Sequence, residues 1–125
     1  MEEVHIREIP LDNNLRLNLY DASKRLAGDR WLLRLIVRII MDLDETWIPQ
    51  PDDPVSKTML KSVIGPETVF ETVKTRHFID ERKKDTVFQS MIDDFVRHSL
   101  SYLAHPDFGR RFILKQYRDK QKRGV

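Results

Sequence analysis

The sequence predicts an α+β fold, an antiparallel sheet of three to four strands from the N-terminal half packed against C-terminal amphipathic helices. Three observations carry that prediction. Leu15, Leu17 and Leu19 alternate with Arg16, Asn18 and Tyr20, the period-two pattern of a strand with one buried face. The run at 31–43, WLLRLIVRIIMDL, holds ten apolar residues in thirteen. From Val87 onward, Phe88, Met91, Ile92, Phe95, Val96, Ser99, Tyr102 and Leu103 recur at the three- and four-residue steps of one helical face, with Asp93, Asp94 and Arg97 opposite.

Along the chain, residues 4–11 read as a short strand. Asp12, Asn13 and Asn14 follow as turn residues, because Asp and Asn tolerate left-handed backbone. With the leucine alternation this makes a hairpin. Residues 21–29, DASKRLAGD, read as a turn-rich connection.

The run at 31–43 admits two readings. As a helix, Asp29 would serve as its N-cap, and Arg34, Arg38 and Asp42 would form one narrow polar stripe. As a strand, its odd positions Leu33, Leu35, Val37, Ile39, Met41 and Leu43 form an unbroken apolar face. Its even positions, which include Arg34, Ile36, Arg38 and Ile40, form a mixed one. The β-branched Ile36, Val37, Ile39 and Ile40 and the preceding hairpin favour the strand. At about 3.3 Å per residue that strand would run about 43 Å, longer than usual, so a bulge, a bend or an overhang past its partner is expected.

WIPQPDDP at 47–54 is a proline-rich loop, and Asp53-Pro54 is read as the start of a short helix with Gly65 just past its end. Residues 68–79, rich in Thr, Val and Phe, read as a further strand. Helices follow at about 80–104, ended by His105-Pro106, and at about 106–122. The last docks through Phe108, Phe112 and Tyr117, then frays into KQKRGV. The strands thus lie mostly in 4–43 and 68–79 of one domain spanning 1–125, a common single-domain length. Its core pairs Phe88, Met91, Ile92, Phe95 and Leu103 with Leu33, Leu35, Val37 and Ile39.

Composition narrows the function classes. With 40% hydrophobic residues and four glycines in 125, the chain is globular in character. There is no cysteine, which excludes a disulfide framework, a thiolate nucleophile and thiolate-bound zinc or iron–sulfur centres. It also fits a cytoplasmic location. MEEVHIREIP lacks the apolar stretch of a signal peptide, and the apolar run is too short and too charged to span a bilayer. The expected reading is therefore an intracellular protein with no membrane passage.

Chemistry-bearing motifs are sparse. Asp94 and His98 stand four apart on a helix, yet no metal-binding signature surrounds them, and His98 reads as a boundary histidine. Gly28, Gly65, Gly109 and Gly124 are too scattered for a phosphate-binding loop. The acidic residues Asp42, Asp44, Glu45, Asp52 and Asp53 lack calcium-loop spacing. No catalytic residue, cofactor or metal is assigned.

Two surfaces remain. The mixed face carries Arg34, Ile36, Arg38 and Ile40 as candidate protein contacts, since aliphatic surface set with arginine is typical of contact sites. The competing reading lays the arginine stems over the isoleucines. The C-terminal segment is the second. From Arg110 onward, seven basic residues face one acid, leaving the rest of the chain net acidic. Arg110, Arg111, Lys115, Arg118 and Lys122 are candidate nucleic-acid contacts, with Phe112 and Tyr117 interleaved as stacking residues or, on the alternative reading, as core. The sequence favours a protein-interaction module that associates with itself or another protein, with a nucleic-acid-binding accessory protein as the alternative.

Overall fold

A computed structural model describes residues 2–123. Five antiparallel strands, β1 (Val4–Pro10), β2 (Arg16–Asp21), β3 (Lys24–Ala27), β4 (Arg30–Asp42) and β5 (Glu67–Asp80), form one sheet. Four helices accompany it: α1 (Leu43–Thr46), α2 (Lys57–Ile64), α3 (Lys84–Leu103) and α4 (Phe108–Arg123). The arrangement is α+β, with the sheet in the N-terminal half and the long helices at the C-terminus.

The apolar run is the strand β4, and it is central. Its odd residues Leu33, Leu35, Val37, Ile39 and Met41 are buried under α3 with Leu17, Leu19, Met91, Ile92, Phe95 and Leu103. Leu43, expected to end that odd face, instead opens α1 and packs in a separate cluster, because the Asp42 carboxylate caps a helix there. Twelve positions of β4 pair with β5 on one edge. β3 and then β2 pair in series on the other. Two short strands in line thus cover β4 from Arg30 to Arg38, and its residues 39–42 run past them paired only with β5, the overhang expected of so long a strand.

The connection expected at 21–29 is instead mostly strand. β2 and β3 keep one unbroken register against β4, since Ala22 N donates to Arg34 O at 2.9 Å between them. The Asp21 carboxylate takes the Ser23 N–H at 2.9 Å, and Arg34 N donates to Ser23 Oγ at 3.0 Å, so side chains replace the ladder for one step. Only Gly28 and Asp29 turn the chain, with Gly28 at φ 56°. Gly-Asp between two strands is a hairpin signal, and here it outweighs the polar composition of its flanks.

The irregularities expected of β4 fall in its partners and at the sheet margin. The register slips at Ile6 in β1, at Leu26 in β3 and at His77–Phe78 in β5. Phe78 adopts φ 58° and is 72% exposed, an unusual conformation for a bulky residue.

Two helix starts differ from the sequence reading. α2 is capped by Ser56, whose Oγ accepts from Met59 N at 3.2 Å, and not by Asp53. Asp53 serves the loop, accepting from Gln50 N at 2.7 Å. Gly65, at φ 101°, does end the helix. α3 starts at Lys84 because the Asp80 carboxylate accepts from Arg82 N at 2.8 Å and turns the chain there. α4 runs to Arg123, close to the expected end at about 122.

α4 joins two apolar clusters. Phe108 packs in the sheet core, where Phe70 meets Phe108 and Phe112 edge-on at centroid distances of 5.5 and 5.8 Å. Ile113 and Tyr117 lie in a second cluster with Leu43, Trp47, Leu60 and Ile64. Gly109 permits the close approach between them, since a Cβ there would stand 2.6 Å from Thr46 Cγ2.

Candidate interaction surfaces

The sheet face opposite the helices carries all four residues of the mixed stripe, and the structure treats them unequally. Tyr20 and Val73 flank Ile36 on the neighbouring strands, and Ile36 is only 6% exposed. Arg34 is half-buried, its Nε without a hydrogen-bond partner. Arg38 is held by Glu3 and by Glu71, the latter at 2.5 Å, and its guanidinium lies 4.9 Å over the Tyr20 ring. That pairing holds the Glu3 carboxyl below its usual range, and Glu3 and Glu71 raise Arg38. Ile40 alone of the four is open, 52% exposed beside Val69. Tyr20, Val73 and the Arg38 ion pairs thus occupy the middle of this face, and the open apolar surface moves toward β5, at Ile40, Val69 and Val73.

β5 also has an unpaired edge. Ala22 donates to Arg34 O, so the Arg34 peptide groups face β3. Alternation along an antiparallel strand turns those of Leu33, Leu35, Val37, Ile39 and Met41 toward β5. Their partners Arg76, Lys74, Thr72, Phe70 and Thr68 spend their groups on β4. The intervening Val69, Glu71, Val73 and Thr75 then direct N–H and C=O outward, where no described residue pairs with them. The Thr/Val pattern in the sequence marks the strand. Its position at the margin depends on which strand the others choose, and no local signal reveals that.

The five basic candidates on α4 separate into one and four. Arg110 is a structural anchor: its guanidinium pairs with Asp53, donates to Ile48 O and lies 4.0 Å over the buried Trp47 ring. The Gln50 N–H, with Arg110, holds the Asp53 carboxyl below its ordinary value. Arg111, Lys115, Arg118 and Lys122 are exposed and spaced four, three and four apart, so they form one stripe. Phe112 and Tyr117 do not join them, for both pack inward.

His98 and Asp94 do not form an acid–base pair. His98 Nδ1 donates to the Asp94 carbonyl at 2.7 Å, while the Asp94 carboxylate takes Arg97 at 2.5 Å. They line an open groove of about 390 Å³ between β5 and α3, with Lys74, Arg76, Met91 and Phe95. A cleft of about 430 Å³ lies beyond the β1–β2 turn, and its polar groups are largely committed. Asn13 donates to Leu103 O and His105 O, and Asp42 caps α1. Among the described residues, no group of three or more acidic or histidine side chains is placed to hold a metal, and no helix is long and apolar enough to cross a membrane.

Comparison with family models, curated proteins and solved structures returns no match.

Proposed function

We propose that this chain is a small cytoplasmic protein-interaction module that self-associates by joining β5 of one copy to β5 of another. The observation that carries the reading is the regular, unpaired outer edge of β5 at 67–76, beside the exposed Ile40, Val69 and Val73. An unpaired strand edge is a template for a further strand, and contiguous apolar surface beside it adds burial to the main-chain bonds.

The side chains suit a second copy. In an antiparallel pair about a two-fold axis, residues of the same face meet. Centred on Val73, the pairing sets Val73 against its counterpart, Glu71 opposite Thr75, Lys74 opposite Thr72 and Arg76 opposite Phe70. No like charges face each other. The bulge at His77–Phe78 ends the regular edge and so bounds the length of the pairing, and a two-fold pair uses both β5 edges.

Light scattering on the whole chain tests this. The expected result is a dimer at high micromolar concentration. Val73→Pro should yield a monomer with nearly unchanged melting temperature at low concentration, because the N–H it removes points outward. Thr72→Pro removes a bond to β4 and should destabilise the fold instead. A wild-type monomer at high micromolar concentration, or a Val73→Pro dimer as tight as wild type, would refute the proposal.

A further inference from the structure

Most of the α4 stripe has no account in the fold. Cations in the last turn of a helix oppose its dipole favourably, which explains Lys120, Lys122 and Arg123. The same physics disfavours a cation in the first turn, where Arg111 stands, and is silent on Lys115 in the middle. Arg111 has only the exposed Asp107 at 3.6 Å. Lys115, Arg118 and Lys122 have no ion-pair partner among the described residues. Four cations in a row on a rigid helix, with one loose ion pair among them, repel one another, and an anionic partner along them relieves that repulsion.

We propose that Arg111, Lys115, Arg118 and Lys122 form a docking stripe for the phosphate backbone of a nucleic-acid duplex, bound without regard to base sequence. The stripe is linear, about 16 Å from first to last at 1.5 Å per residue. Duplex DNA offers a phosphate charge about every 1.7 Å of its axis, so a straight row of cations finds partners at any register.

Two features decide against other anionic partners. Single strands are captured through stacked bases as well as phosphates, and the aromatics of α4 are committed to the core: Tyr117 is buried, and Phe112 packs against Phe70 and Phe108. An interfacial helix inserts an apolar face into a bilayer, whereas the apolar face of α4 is buried under Ile113 and Tyr117 against α1 and α2. The remainder of the chain is net acidic, which biases the approach of a polyanion toward α4. The stripe lies on α4 and the association edge on β5, so either proposal survives the failure of the other.

The test is fluorescence anisotropy of the full chain against a labelled duplex DNA of about 20 base pairs over a salt series. Four phosphate contacts give a slope of log affinity on log salt of about −3.6, a loss of about 150-fold between 50 and 200 mM. Lys115→Ala with Arg118→Ala should reduce that loss to about 12-fold, whereas Arg118→Lys, which keeps the charge, should retain wild-type affinity. These side chains are exposed, and circular dichroism serves as the check that each variant folds. Three results overturn the proposal: no binding at low salt, binding indifferent to the stripe substitutions, or tighter binding to single-stranded DNA. Equal competition by polyglutamate would assign the stripe to an acidic protein, and preferential binding to phosphatidylserine vesicles would assign it to a membrane. Either of these also overturns it.

Discussion

Gly109 offers a test in which one contact decides the sign of a mutation. It is the second residue of α4, where alanine is intrinsically the better helix former by up to about 1 kcal/mol. On helix propensity alone, Gly109→Ala should stabilise the protein. Its Cβ, however, would lie 2.6 Å from Thr46 Cγ2, about 1 Å inside comfortable carbon–carbon contact. Thr46 cannot easily yield. Its branched side chain is stiff at χ1, and it ends α1 immediately before the fully buried Trp47.

Overpacking of this kind costs about 1–3 kcal/mol, so the net effect of Gly109→Ala should be a loss of about 1–2 kcal/mol. Thr46→Ser deletes the offending methyl, after which the nearest atom to the new Cβ is Leu15 Cδ1 at an ordinary 3.6 Å. In that background Gly109→Ala should be neutral or stabilising by up to about 1 kcal/mol. Urea melts of the wild type, both single variants and the double variant measure the coupling directly. If Gly109→Ala stabilises the wild type, or destabilises equally with and without Thr46→Ser, the close approach of α4 to α1 is not as described.

Three further outcomes follow from the same structure. Arg110→Ala should lower the melting temperature without altering the salt slope of duplex binding, since stacking over a buried indole is worth about 1–2 kcal/mol; Arg110→Lys should recover only part, because an ammonium lacks the planar fork that spans Asp53 and Ile48 O. Phe78→Gly should raise stability by about 0.5–1 kcal/mol in thermal melts, as it relieves a left-handed conformation while giving up a side chain that is mostly exposed. Asp80 is held well below the usual carboxylate range by the Arg82 side chain and backbone N–H and by Arg30. A depressed folded value stabilises above the unfolded value near about pH 4 and is lost as pH falls below it. Asp80→Asn should therefore be less stable than wild type at neutral pH, with melting temperatures converging as the pH drops below about 4; a constant difference down to acid pH would exclude the charge as the cause.

What the sequence determined by itself is whatever depends on near neighbours along the chain. The leucine alternation and the odd-position face of β4 fixed which residues enter the core, because strand geometry sends alternate side chains to opposite sides regardless of the partner. The helical spacing of Met91, Ile92 and Phe95 did the same for α3, and Gly65 marked the end of α2 because its backbone favours the left-handed region. Gly28-Asp29 carried a hairpin signal too, though polar neighbours obscured it.

Tertiary structure alone decided the rest. Strand pairing made β4 central and left β5 at the margin, since edge status is a property of the whole sheet. Ile36 and Ile40, alike in sequence, became covered and open because Tyr20 lies opposite one and no such ring lies opposite the other. Arg110 and Arg111, adjacent and identical, became buried-ring anchor and exposed surface cation because a helix turns about 100° between them and Trp47 with Asp53 waits on only one side. A side chain's charge is written in the sequence. Whether that charge is spent inside the molecule is settled only by what the fold brings against it.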